Sequence, residues 1–180
     1  MPVKSATARG LTSGLEPGLV LLNTQTFSAV SSVSFPDNTF SAAYENYRLV
    51  INFTAGDAAF AWRGRAAGTD NSSSNYMWFS AFYNSNSTPG TSFQGSGGLT
   101  TWGYIGFPKD SSVISADLTG LFASQKAQMH TQISRGDGST AIGYNFVASG
   151  MSVTTSYDSL SLIITSGTMS GKASIYGYNL

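Results

Sequence analysis

His130 is the only histidine of the chain, so a serine-hydrolase arrangement would have to use its imidazole as the base, with Asp117 as the candidate orienter. The local sequence AQMHTQIS alternates His130 with Met129, the pattern of a half-exposed strand residue, and no catalytic residue is assigned. A glycosidase would need two carboxylates flanking a sugar. The acidic residues are instead scattered singly, and most sit at turn signals: Asp37 after Pro36, Asp57 after Gly56, Asp110 after Lys109, Asp137 between glycines. Carboxylates in such places make turn hydrogen bonds. Asp70, Asn71 and Ser72 offer oxygen ligands, yet a tight calcium site takes about six to eight oxygens and one carboxylate is too few. No metal or cofactor is expected. Arg135-Gly136-Asp137 spells an adhesion tripeptide, but the same residues are what a hairpin turn demands.

Two further groups could bind rather than react. Arg63 and Arg65 fall two residues apart in AFAWRGRA, on one strand face, with Phe60, Trp62 and Gly64 on the other. Like charges side by side call for acidic partners, so this pair is a candidate interface with a neighbouring subunit or else a solvated face. Aromatic residues gather around the polar stretch 84–98, at Trp78, Phe79, Phe82, Tyr83, Phe93, Trp102 and Tyr104. Core packing accounts for most of them; Trp78, Tyr83, Phe93 and Trp102 are the candidate surface aromatics for a sugar or a protein.

The elements that must position these residues read as strands. From Leu19 onward, short runs rich in Val, Ile, Thr, Phe and Tyr are each closed by Gly, Asn, Asp or Pro. The runs predict strands near 19–28, 30–35, 47–54, 59–66, 75–83, 99–106, 112–122, 127–135, 139–147, 159–165 and 172–178. Tyr47, Leu49, Ile51 and Phe53 alternate with Arg48, Val50 and Asn52, and Leu160, Leu162 and Ile164 alternate with Ser161 and Ile163, which puts one set of each on a core face. Asp137-Gly138 between two runs predicts that strands 127–135 and 139–147 pair antiparallel. No segment holds a helical apolar period for the length of a helix. Residues 84–98, NSNSTPGTSFQGSGG, read as a long polar loop. The expectation is an all-β, single antiparallel β-sandwich (jelly-roll-like) over residues 19–180.

Residues 1–18 carry Pro2, Pro17, Gly10, Gly14 and Gly18 without either period and read as an extended N-terminal arm. Extended, it spans up to about 60 Å. Lys4, Arg9, Leu11, Leu15 and Leu19 are its candidate assembly anchors. The arm has no apolar run of signal-peptide length, and no stretch approaches the about 18 residues of a membrane helix, so neither secretion by that route nor membrane insertion is expected.

Composition limits the function classes. Charged residues are 10% of the chain, and Ser, Thr, Asn and Gly together fill 77 of 180 positions. Aromatics at 13% supply the apolar area that a disordered chain lacks. Nine basic against nine acidic residues leave no electrostatic footprint for nucleic acid. A surface with so little charge also lacks the self-repulsion that keeps monomers apart, which suits assembly. Zero cysteines remove disulfides, thiolate metal sites and cysteine nucleophiles.

The order GLVLLNTQTFSAVSSVSF, YENYRLVINF, WRGRAAGTDNSSSNY and LSLIITSGTMSGKASIYGY, over residues 18–178, resembles a family of small virion proteins encoded by tailed bacteriophages. In that family an apolar strand opens the domain, a strand bounded by tyrosines follows, an Arg-bearing strand leads into a polar loop, and an IYGY strand closes the chain. The resemblance implies a β-sandwich in a phage particle. Together with the composition it gives the expected function: a non-enzymatic virion structural protein on the tail or capsid exterior. It would be a short tail-fibre or spike subunit, a homotrimer whose partners are its own copies and other virion proteins. A capsid decoration (cement) protein is the second reading of the same class. A carbohydrate-binding receptor module holding a host-surface glycan is the reading from another class. A depolymerase is disfavoured, since 180 residues without a repeat period do not build a long β-helix.

Overall fold

The computed structural model describes residues 18–56, 59–84, 92–102, 112–136 and 142–179. Their strands are β1 (Gly18–Val30), β2 (Ser32–Ser34), β3 (Asn46–Gly56), β4 (Phe60–Ala66), β5 (Thr69–Asp70), β6 (Tyr76–Asn84), β7 (Ser92–Leu99), β8 (Val113–Thr119), β9 (Gln128–Gly136), β10 (Ile142–Met151), β11 (Ser159–Ile164) and β12 (Met169–Asn179). An eight-stranded sheet runs β1-β12-β3-β8-β9-β10-β6-β7 and a four-stranded sheet runs β2-β11-β4-β5. Every pairing is antiparallel. The described residues contain no helix. The all-β, two-sheet expectation holds, with strands divided eight to four.

Three chain segments pass through both sheets. β1 continues into β2, β3 into β4 and β11 into β12, and the order β1-β12-β3 in one sheet is repeated as β2-β11-β4 in the other. Each segment therefore folds over a corner and carries its apolar face inward twice. β1 has two register shifts against β12, one between Leu21 and Asn23 and one at the corner, spanning Ala29, which sits at φ 51°. The Ala29 N–H is not orphaned there, since it donates to Ser170 Oγ at 2.9 Å.

The core lies between the sheets. Tyr47, Leu49, Ile51 and Phe53 of β3 are buried and face Phe60 and Trp62 of β4 with Leu160, Leu162 and Ile164 of β11. Ring centroids of Phe53 and Phe60 are 5.1 Å apart, and those of Phe60 and Trp62 likewise 5.1 Å, both edge-on. The period-2 readings of these strands are thus realised, with Arg48, Val50 and Asn52 on the outer face.

Two expectations need correction. The strand beside β6 is β7, most of it inside the stretch read as loop, pairing from Tyr76↔Leu99 to Phe82↔Ser92; of the run 99–106, Leu99 ends β7 and residues 103–106 lie outside the described residues. Glycines at 95, 97 and 98 suppressed the strand signal, but an edge strand held by backbone pairing needs no side chains to bury. Trp102 is the second. It is fully buried, not a surface aromatic, because its backbone bridges Trp62 and its ring packs edge-on to Tyr76 at 5.6 Å. The β9–β10 hairpin forms as read, with Gly136 opposite Ile142; its Asp137-Gly138 turn lies outside the described residues.

Candidate functional site

The outer face of the eight-stranded sheet collects the side chains able to meet another molecule. Strand register aligns them in rows: Leu21, Tyr176, Arg48, Asp117, His130, Ala148, Phe79 and Gly95 lie side by side across all eight strands. The next row runs through Val50, Ser115, Gln132, Phe146 and Ala81, and the row on the other side through Thr119, Gln128, Gly150, Met77 and Gly97. Every large hydrophobic residue exposed among the described residues points from this face: Leu19 and Leu21 on β1, Met77, Phe79 and Tyr83 on β6, Val113 on β8 and Phe146 on β10. Scattered exposed apolar residues need no account; their confinement to one face of one sheet does.

A polar strip divides this face. Asp117 sits 3.8 Å from the Arg48 guanidinium and accepts a hydrogen bond from the Tyr178 hydroxyl. Burial, and then this carboxylate, push the Tyr178 hydroxyl above the usual tyrosine range. Ser115, Asp117 and His130 share a cavity of about 180 Å³. The three residue types of a hydrolytic triad are therefore close together, but among the described residues no hydrogen bond joins His130 to either partner. β8, β9 and β10 each pair on both sides, so their backbone N–H groups serve the ladders.

A second cavity of about 380 Å³ follows β10. Its floor is Ala148 and Gly150, one wall is Met77 and Phe79, and the other is Gln128 and His130. The two cavities meet at His130 and Ala148.

The arginine pair lies on the other sheet. Arg65 Nη1 donates to Asp70 Oδ1 at 2.8 Å and Nη2 to the Gly68 carbonyl at 2.6 Å, while Ser161 Oγ donates to the same Asp70 oxygen at 2.7 Å. Its side chain is only 17% exposed. Asp37 stands 4.0 Å from Arg65 Nε. The acidic partners anticipated across a subunit boundary thus come, for Arg65, from its own chain, and the guanidinium ties β4, β5 and β11 together. Arg63 Nε donates to the Thr100 carbonyl at 3.0 Å.

Of the other anticipated positions, Tyr83 is exposed on the outer face. Trp78 points the opposite way and is half-buried, its indole N–H enclosed without a hydrogen-bond partner among the described residues. Phe93 lies on β7, its side chain outside those described. Leu19 is on β1 and 47% exposed; Lys4, Arg9, Leu11 and Leu15 lie outside the described residues. Asp70, weighed as a calcium ligand, is the ion-pair partner of Arg65. Sequence reasoning passed over Met77 and Phe146. The available signal was apolar residues at both parities of YMWFSAFY and GYNFVAS, which marks a strand with a second face to cover.

The stretches that carry the resemblance meet in space. The Tyr44 ring lies over Gly177, where a Cβ would come within 2.5 Å of it, so YENY and IYGY fit together through a ring on a glycine. Gly64 of WRGR receives the Tyr157 ring the same way, at 2.7 Å. No protein-family model matches the chain, and no curated protein matches it.

Proposed function

We propose that the protein is a non-enzymatic structural subunit of a bacteriophage particle, a short tail-fibre or spike component that assembles as a homotrimer. The observation that carries this is β1. Among the described residues it is a 13-residue outermost strand, paired only with β12, and it turns Leu19 and Leu21 to solvent at 47% and 56% exposure. Long edge strands with exposed apolar residues are avoided by proteins that stay alone, because their free N–H and C=O groups template pairing with another chain. In the sequence this strand follows directly on the segment with Lys4, Arg9, Leu11 and Leu15, the candidate anchors. A chain with 10% charged residues and no formal net charge adds little repulsion against such contacts. The four-part sequence resemblance supports the phage particle as the setting, and the interlocking of YENY with IYGY gives those letters a common structural use.

Sedimentation of the full chain at tens of micromolar tests the reading, beside the double variant Leu19→Lys, Leu21→Lys. A trimer that becomes a folded monomer in the variant is the expected result. A wild-type chain that stays monomeric, both alone and in extracts of the particle, would overturn it. Labelling the protein in purified particles then separates tail from capsid exterior.

A further inference from the structure

The trough along β10 has unlike walls. On the β6 side stand Met77 at 44% and Phe79 at 51% exposure, a thioether and an aryl face. On the β9 side stand the Gln128 amide and the His130 imidazole, both exposed. The floor is kept low because β10 places Gly150 and Ala148 between them, opposite Met77 and Phe79 on one side and Gln128 and His130 on the other. Phe146, 53% exposed and two residues from Ala148 on β10, lies beyond one end, its ring edge-on to that of Tyr144 at 4.7 Å. Beyond it the smaller cavity adds Ser115, Asp117 and Gln132. With neighbouring strands about 4.8 Å apart, the walls on β9 and β6 stand roughly 10 Å from each other at the backbone, room for a single sugar ring.

We propose that this trough binds a neutral oligosaccharide. A pyranose has an apolar C–H face and a rim of hydroxyls, and the trough offers one apolar wall and one wall of hydrogen-bonding groups that both donate and accept. No Lys, Arg, Asp or Glu lines the larger cavity, so nothing there favours a charged ligand. Asp117 enters only at the smaller cavity, where it is already held by Arg48 and Tyr178. Phe79 lies directly opposite Ala148, so a sugar ring seated over Ala148 can meet its aryl face while Gln128 and His130 reach the hydroxyls; Gln132 already accepts a hydrogen bond from the Tyr144 hydroxyl at 3.3 Å. The site is distinct from the β1 edge proposed for assembly.

The test uses the full chain, isotope-labelled, titrated with maltohexaose, cellohexaose and, as an anionic comparison, oligogalacturonate. Shifts of the Met77 and Ala148 methyl signals with one of the neutral sugars, at millimolar concentration or below, are expected. Phe79→Ala and Gln128→Ala should each weaken that binding tenfold or more, and Thr165→Ala, on the exposed turn after β11 of the other sheet, should leave it unchanged. Wild-type methyl signals unmoved by both neutral sugars would overturn the proposal. So would tighter binding of the anionic sugar, or equal affinity in Phe79→Ala. Sedimentation of Phe79→Ala is run in parallel: loss of a wild-type oligomer would make the trough a contact between copies and sink the sugar reading. Monomerisation by the β1 variant alone would leave it standing.

Discussion

At the scale of single residues, the tightest constraints are two glycines inside strands. A Cβ on Gly64 would lie 2.7 Å from the Tyr157 ring near its root, and Tyr157 cannot swing away: it is buried, and its hydroxyl accepts a hydrogen bond from Asn71 Nδ2 at 2.6 Å. Gly64→Ala should therefore cost about 1–3 kcal/mol by overpacking, read as a lower urea midpoint with unchanged slope. Gly177→Ala pushes on Tyr44, which is only half-buried, and should cost less. Equal midpoints for Gly64→Ala and wild type would mean that the ring does not rest on that glycine. Both glycines stood in the sequence as letters of WRGR and IYGY. That they mark close approaches was within reach, since glycine inside a strand has that meaning, but which ring covers each was not. Nor was the fate of Arg65. Its neighbour Arg63 made the pair look like a surface feature, whereas Asp70, five residues away across a tight hairpin, takes its charge.

At the scale of elements, alternation was legible where one face is buried and silent where neither is. β3 and β11 show it because Leu49, Ile51, Leu160 and Leu162 all enter the core. β7 does not: residues 94–98 are exposed throughout, and glycine occupies three of those positions, so nothing in the pattern demanded a strand. Residues 94–98 are held by backbone pairing with β6, while Leu99 at the strand's end packs against the core. Glycine in a strand gives up more entropy on ordering than other residues, and an outermost strand has one partner instead of two. Hydrogen exchange should accordingly find the amides of β7 at least a hundredfold less protected than those of β3 and β9, which are flanked on both sides. Protection of β7 equal to that of β9 in the isolated chain would mean that its free edge is covered. The outer-face trough was illegible for a related reason: it is made by small residues of β10 lying between large ones of β6 and long polar ones of β9, and register decides that adjacency.

At the scale of the whole molecule, the class of fold followed from turn spacing and β-rich runs, while the separation of an apolar edge from a two-walled trough needed the sheet order. The low charge content also shifts the limits of stability. With so few ionisable groups, buried hydroxyls set the alkaline end. Tyr47 and Tyr76 are fully buried. The Tyr47 hydroxyl donates to the Ser41 carbonyl at 2.7 Å and accepts from the Ser41 N–H at 2.8 Å, and that of Tyr76 donates to the Asn71 carbonyl at 2.8 Å. Burial raises both above the ordinary tyrosine value, Tyr76 far above it. A tyrosine held protonated in the fold but free to ionise near pH 10 when unfolded contributes its full stability below that pH. The contribution is lost as pH rises from there toward the folded value, by up to about 1.4 kcal/mol per pH unit for each residue. Unfolding free energy should thus be flat with respect to these groups up to about pH 9 and fall steeply between about pH 10 and 12. Tyr76→Phe removes one of the two groups and also leaves the Asn71 carbonyl without its donor. It should start lower at pH 8, by about 1–3 kcal/mol, and then fall less steeply above pH 10 than wild type. Urea titrations at pH 8, 9, 10 and 11 measure both quantities, and parallel curves for the two proteins would show that Tyr76 ionises as readily in the fold as out of it.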